Sequence, residues 1–183
     1  MLSAIVATHN SERELVPTLS ALVPGATAGL IPEVIVADAG SHDATAQVAD
    51  YAGCRFIVAS GPLGARLCGA AATARGPWLM FLRAGIVPEP GWLGEAERLI
   101  AGADTEQAAV FRKKSRPLRP RIGDLGSFLF AHLWEARGEG LIVAKRFYER
   151  LGGHRGDAEA EAALLRRIGR RRLVVLPCAA AAR

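Results

Sequence analysis

The chain has 183 residues, of which half are hydrophobic and 22% are charged, with a formal net charge of +5. That balance excludes a disordered chain, and the length suits one domain that buries roughly 70% of its unfolded surface without staples. Cys54, Cys68 and Cys178 are odd in number and widely spaced, which excludes a disulfide framework and a cysteine metal site and leaves reduced structural thiols as the expectation.

In chain order, Leu2 to Ala7 is a short apolar run that predicts a strand. Ser11 followed by Glu14 makes a capping box, and a helix is expected from there to about Val23, ended by Pro24-Gly25. Glu33 to Asp38 is the second strand. Gly40-Ser41-His42-Asp43 turns the chain, with Asp43 as N-cap of a helix over Ala44 to Ala52. Arg55 to Ala59 is the third strand, and Gly64 to Arg75 is an alanine-rich helix closed by Gly76-Pro77. The run Trp78 to Leu82 is a fourth strand, wholly apolar, that stops on Arg83-Ala84-Gly85. Pro90 to Ala101 is a helix with its proline near the first turn.

Strands alternating with helices of about ten residues imply parallel pairing through right-handed crossovers. Continuous apolar runs suit strands buried on both faces. The second half is less regular. It offers a strand over Gln107 to Phe111, an amphipathic helix over Leu125 to Arg137 with Phe128, Leu129, Leu133 and Trp134, and a strand over Gly140 to Ala144. A short helix through Leu151, a helix over Ala158 to Ile168 and a last strand over Leu173 to Leu176 complete it. The fold expected is α/β, a Rossmann-like, mostly parallel mixed sheet with helices on both faces. No repeat or linker divides the chain.

The amino terminus has no basic segment before its apolar run, so no secretory leader is expected. The uncharged stretch Leu15 to Pro32 is broken by Pro17, Pro24, Gly25 and Gly29, so it does not read as a spanning helix. The expectation is a cytoplasmic protein.

In an open α/β sheet, ligands bind outside the carboxyl ends of the strands. Four tips should share one rim: Thr8-His9-Asn10, Asp38 to Ser41, the loop leading to Gly61, Gly64 and Arg66, and Arg83 to Gly85. Carboxylates there can accept from ribose hydroxyls or base N–H groups. Arg66, near a helix start, suits a phosphate. Each residue also has a bland reading: Asp38 and Asp43 as caps, His9 as a loop histidine, Arg66 as one surface arginine among 20 in the chain. Neither GxGxxG nor a Walker loop is present. His42, His132 and His154 share no zinc spacing with cysteines or acids.

At these positions the sequence resembles family 2 glycosyltransferases, which have the GT-A fold. The first-strand motif stands as Ala7-Thr8-His9-Asn10-Ser11-Glu12. The second-strand motif stands as Ala37-Asp38-Ala39-Gly40-Ser41-His42-Asp43-Ala44-Thr45. The run Ala72 to Leu82 also reads like the family. The resemblance implies a nucleotide-sugar donor bound by Thr8, His9, Asn10, Glu12, Asp38 and Arg66, in a nucleotide-binding half (1–102) set before an acceptor-side half (103–183).

It also exposes departures. Members usually carry Asp-x-Asp after the fourth strand, holding a divalent metal on the diphosphate; this chain has Arg83-Ala84-Gly85, with no oxygen ligand for a hard cation. The catalytic Glu-Asp pair falls on Ala160-Glu161. The second-strand double Asp is Asp38-Ala39, and the family's Arg-Asn pair is Arg66-Leu67.

An inverting transfer needs a base for the acceptor hydroxyl and positive charge for the departing diphosphate. The expectation is therefore that Arg83, with Arg66, replaces the metal, so that no cofactor is required. Glu161 would be the base, with Glu159 or Glu139 as substitutes, and His154 would line the acceptor pocket. The alternative is a GT-A fold that binds a nucleotide sugar or a partner without catalysis. A basic run from Arg112 to Arg121 precedes the aromatic helix, so residues 112–134 are a candidate for peripheral contact with an anionic inner-membrane surface. Aromatic residues make up only 6% of the chain and no recognition module is visible, so no nucleic-acid partner is expected.

Overall fold

A computed structural model describes residues 1–102, 105–113, 139–156 and 159–182. In chain order the elements are β1 Leu2–Thr8, α1 Glu12–Thr27, β2 Glu33–Asp38, α2 Thr45–Tyr51, β3 Arg55–Val58, α3 Leu63–Thr73, β4 Trp78–Arg83, β5 Ile86–Pro88 and α4 Trp92–Ala101. They continue with β6 Ala108–Lys113, β7 Glu139–Ala144, α5 Lys145–Arg150, α6 Ala160–Ile168 and β8 Leu173–Ala182.

The strands form one eight-stranded sheet in the order β3-β2-β1-β4-β7-β6-β8-β5. β1 lies centrally, parallel to β2 and β4, and β2 is parallel to β3. Every residue of β1 is buried, as are the first five of β4. These are the continuous apolar runs that a doubly covered parallel sheet requires. Beyond β4 the sense changes. β7 runs antiparallel to β4 and β6, β8 is parallel to β6, and β5 is antiparallel to β8. The sheet is thus mixed, with its parallel half built by the first four strands.

The register aligns the rim. Thr8 pairs with Asp38, Asp38 with Val58, and Ala7 with Arg83, so the carboxyl ends of β1 to β4 finish side by side. Beneath that rim the core is continuous through Ile5, Ile35, Leu67, Leu79, Met80, Phe111, Ile142 and Leu164.

Several local expectations change. α1 does not stop at Pro24 but runs to Thr27 with Pro17 and Pro24 inside it. A proline forfeits its own N–H, yet the Pro24 carbonyl still accepts from Ala28, and that of Gly25 accepts from Leu30 and Ile31. Trp92 braces this turn, donating its indole N–H to the Ala21 carbonyl at 2.9 Å.

The capping box does not form either. Ser11 turns its hydroxyl to the His9 carbonyl, and the start of α1 is served from α2 instead. The Ser11 N–H donates to Thr45 Oγ1 and the Glu12 N–H to Asp43 Oδ2, while Glu12 Oε2 accepts from the Ala44 N–H. Two helix starts cap each other across the rim, because the β1–β2 register brings them together. Asp43 also accepts from the Thr45 N–H at 3.0 Å, but it is not the N-cap expected of it: the helix begins at Thr45 with Ala44 as its N-cap, and Asp43 turns the chain just ahead of it.

The last strand is ten residues long, not four. Its register against β6 shifts between the Phe111–Leu176 and Arg112–Ala179 pairs. Pro177, which has no N–H to give a ladder, sits in that irregularity, where proline is tolerated. The expected helix over Leu125 to Arg137 lies outside the described residues. Among the described residues no helix is long and apolar enough to cross a membrane.

Candidate functional site

The rim over β1 to β3 is held by its own polar groups. Asp38 is 1% exposed. Its Oδ1 accepts from the Thr8 hydroxyl at 2.7 Å and the Ser41 hydroxyl at 2.5 Å. Its Oδ2 accepts from the Gly40 and Ser41 N–H groups at 2.7 and 2.6 Å. Burial alone would raise this carboxyl, but the Ser41, Thr8 and Gly40 hydrogen bonds outweigh it and hold it below its ordinary value.

Asn10 follows the same logic. It holds a left-handed backbone at φ 49°, which asparagine tolerates better than most residues. Its N–H donates to Ser41 Oγ and its Oδ1 accepts from the His42 N–H, both at 2.8 Å. The structure thus places Thr8, Asn10, Glu12 and Asp38 in one braced turn, with His9 exposed at its tip.

Arg66, on α3, does not point into solvent. Its Nη1 donates to the Thr8 and Ala37 carbonyls at 3.2 and 3.0 Å. Its Nε is buried with no partner among the described residues. The guanidinium therefore ties α3 to the ends of β1 and β2, directly beneath the rim.

The second cluster lies where β4 ends. Arg83 leaves the apolar strand and meets Glu161, on the first turn of α6, through two hydrogen bonds. Nε donates to Oε1 at 3.1 Å and Nη2 to Oε2 at 2.6 Å. The hydrogen bond and charge of Glu161, with Glu139 nearby, raise the Arg83 pKa above its ordinary value. Glu139 itself is 3.6 Å from Lys113 Nζ. Glu159 lies apart, exposed and paired with Arg166 at 3.0 Å. A pocket of about 70 Å³ opens beside the pair, lined by Phe81, Arg83, Glu139, Leu141, His154 and Glu161 among others. That is room for about two water molecules.

His154 forms a wall of this pocket and is 3% exposed. Burial, then the charges of Arg167 and Arg83, lower its pKa from 6.5 to about 4, so the imidazole is neutral near neutral pH. Phe81 meets its ring edge-on at 4.6 Å between centroids. The Gly152-Gly153 turn carries it, both glycines at positive φ. Gly153 also passes so close to Tyr148 that a Cβ would lie 3.1 Å from the phenol ring.

Two residues of this cluster escaped the sequence reading. Arg167 pins the turn, donating to the Leu151 and Gly153 carbonyls. Tyr148 holds His154, as described below. Arg167 was hidden in an arginine-rich run, and a lone tyrosine on a short helix gives no sequence signal.

A family model described as glycosyl transferase family 2 matches residues 3–150. The chain belongs to this family. No curated protein matches the sequence. Among solved structures, glucosyl-3-phosphoglycerate synthase from Mycobacterium tuberculosis, in complex with Mn2+, uridine diphosphate and glucosyl-3-phosphoglycerate, superposes with a TM-score of 0.75. Identity is 17% over all of this chain and 72% of that one. The same synthase with Mn2+, uridine-diphosphate-glucose and phosphoglyceric acid gives 0.73 at 17% identity, covering 96% of this chain and 68% of that one. A structure described only as a mycobacterial protein gives 0.72 at 18% identity, covering 100% and 65%. At such identities the likeness establishes the GT-A-like fold.

The two synthase complexes hold Mn2+, so the donor chemistry available in this family 2 chain where β4 ends matters. Arg83 has no lone pair to give, and Ala84 and Gly85 bring no side-chain oxygen. Among the described residues, the carboxylates at this tip, Glu161 and Glu139, already face Arg83 and Lys113. No group of three or more His, Cys, Asp or Glu that could hold a metal stands together among the described residues. The described residues do not fit a hard divalent ion, which prefers six or more oxygens.

Proposed function

We propose that this family 2 domain transfers a sugar from a nucleotide-sugar donor, and that the side chain of Arg83 meets the donor's diphosphate where relatives use a metal. The observation that carries this reading is the Arg83–Glu161 pair. A cation at the β4 tip and an acid on α6, far apart in sequence, face one pocket. A guanidinium grips phosphate at two points, so a diphosphate can take the place that Glu161 holds on Arg83. Release of Glu161 then supplies a carboxylate able to accept the proton of an acceptor hydroxyl. Glu139 stands by as the other pocket acid. Glu159, engaged with Arg166, is the weakest of the three acids assigned from sequence.

On this reading residues 1–102 hold the nucleotide, with His9 and the braced turn beneath the base and ribose, and residues 103–183 face the acceptor. His154 lies on the acceptor side of the pocket. Nothing in these residues selects the sugar or the acceptor. Residues 112–134, of which only Arg112 and Lys113 are described, would bring the domain to an anionic membrane surface. Sedimentation with anionic and neutral liposomes separates that contact from a purely soluble life.

A second reading rests on the same pair. Both oxygens of Glu161 are engaged by Arg83, as they would be in a domain that binds a nucleotide sugar without turning it over. Thermal-shift titrations with uridine diphosphate and sugar nucleotides, with manganese or with chelator, test the first reading. Stabilisation that persists in chelator supports it, because ligand binding raises stability in proportion to log concentration over Kd. Stabilisation that requires manganese ends it. Turnover across a sugar-nucleotide panel that disappears in Glu161→Ala separates transfer from mere binding.

A further inference from the structure

Tyr148 and His154 are locked to each other by two contacts on one oxygen. The His154 backbone N–H donates to the phenol oxygen at 3.0 Å, and the same oxygen lies 3.0 Å from His154 Nδ1. The remaining ring nitrogen, Nε2, is buried with no partner among the described residues. A phenol has one proton to give. Cys68 also neighbours it, but thiol sulfur is a weak acceptor and a neutral imidazole nitrogen a strong one. The phenolic proton therefore goes to Nδ1, which leaves the imidazole proton on Nε2.

We infer that Tyr148 fixes His154 as the Nε2–H tautomer, making its buried edge a hydrogen-bond donor that, with Arg83, receives an anionic oxygen of the ligand, a phosphoryl or carboxylate oxygen. Tyr148 is a positioning residue; the donor is His154. An orphaned buried donor costs free energy until an acceptor arrives. In this pocket the guanidinium already draws one, the carboxylate of Glu161. The inference rests on the reading that this pocket meets the donor's diphosphate.

Nitrogen-15 NMR of histidine-labelled protein tests it, with the signal assigned through His154→Gln. Wild type should show one tautomer, protonated at Nε2, and the Nε2–H resonance should move on titration with uridine diphosphate. Tyr148→Phe keeps the ring and loses the lock, so it should show both tautomers and bind uridine diphosphate about twofold more weakly, because only the fraction already protonated at Nε2 is ready to bind, whereas His154→Ala, which loses a hydrogen bond to a charged group outright, should bind about tenfold more weakly. His154→Gln, which still offers an N–H near Nε2, should bind better than His154→Ala. A proton on Nδ1 in wild type overturns the inference without any ligand. An Nε2–H that ignores uridine diphosphate, while thermal shift shows binding, overturns the donor role alone. No binding by any variant instead sinks the underlying reading and takes this one with it.

Discussion

Arg83 and Glu161 stand 78 residues apart in sequence and meet through a two-point ion pair at the mouth of a small pocket. Their side chains are 50% and 39% exposed, so water screens the pair and its own worth is about 1 kcal/mol or less. That modest strength is what permits exchange. A diphosphate carrying more charge than one carboxylate can displace Glu161 at little cost.

Glu161→Gln should therefore bind uridine diphosphate more tightly than wild type, by up to about fivefold, the most an exposed pair of about 1 kcal/mol can give back. It should also lose sugar transfer. Arg83→Met should lose binding. Isothermal calorimetry on the three proteins decides this, and weaker binding by Glu161→Gln would show that the acid does not compete for Arg83.

The Asp38 carboxylate should matter to folding before it matters to ligands. Asp38→Asn puts an NH2 group among four donors, from Thr8, Gly40 and Ser41. The expected loss is about 2–4 kcal/mol by urea denaturation. Because its native pKa is lowered, Asp38 stabilises the fold above the ordinary carboxylate pKa, and that contribution fades as pH falls through the native value. The variant should lack that acid-dependent part.

His154 sets an earlier acid limit. Its native pKa is depressed from 6.5 to about 4. Above pH 6.5 folded and unfolded forms are both neutral, and no penalty exists. Between 6.5 and 4 only the unfolded form takes up the proton, so stability falls, by a total of order 3 kcal/mol; below 4 the penalty stops growing. His154→Gln should flatten this part of a stability-against-pH curve, and an unchanged slope would mean that another group carries it.

Gly64 holds α3 against the loop that leads to α6. A Cβ there would lie 2.5 Å from the Gly156 carbonyl oxygen and 3.1 Å from the Ala160 Cβ. Gly64→Ala should cost about 1–3 kcal/mol by overpacking. It should also push the start of α6 outward and loosen Glu161 from Arg83. The variant should thus be less stable by thermal melting while binding uridine diphosphate no more weakly than wild type; a melting temperature equal to wild type refutes the close approach.

The apolar runs Leu2 to Ala7, Glu33 to Asp38 and Trp78 to Leu82 by themselves determined a parallel half-sheet and the rim where its tips end, because burial on both faces leaves no polar alternation to misread. The motif around Asp38 to Thr45 and the run into Phe81-Leu82 marked the family. The sequence also singled out Arg83 and Glu161 separately, one as a candidate cation for the diphosphate and the other as a candidate base, with no sign that the two meet. It placed α1's end too early, since the chain pattern does not reveal that the last turn of α1 has carbonyl partners and a tryptophan brace. Only the tertiary structure decided who holds whom: Asp43 caps α1 in place of Ser11, Arg66 grips strand carbonyls, Arg83 closes on Glu161, and Tyr148 takes His154. Periodicity reports which face of an element is buried. It carries no record of the few ångströms between polar atoms brought together from opposite ends of a chain, and those distances are set by strand register and helix packing.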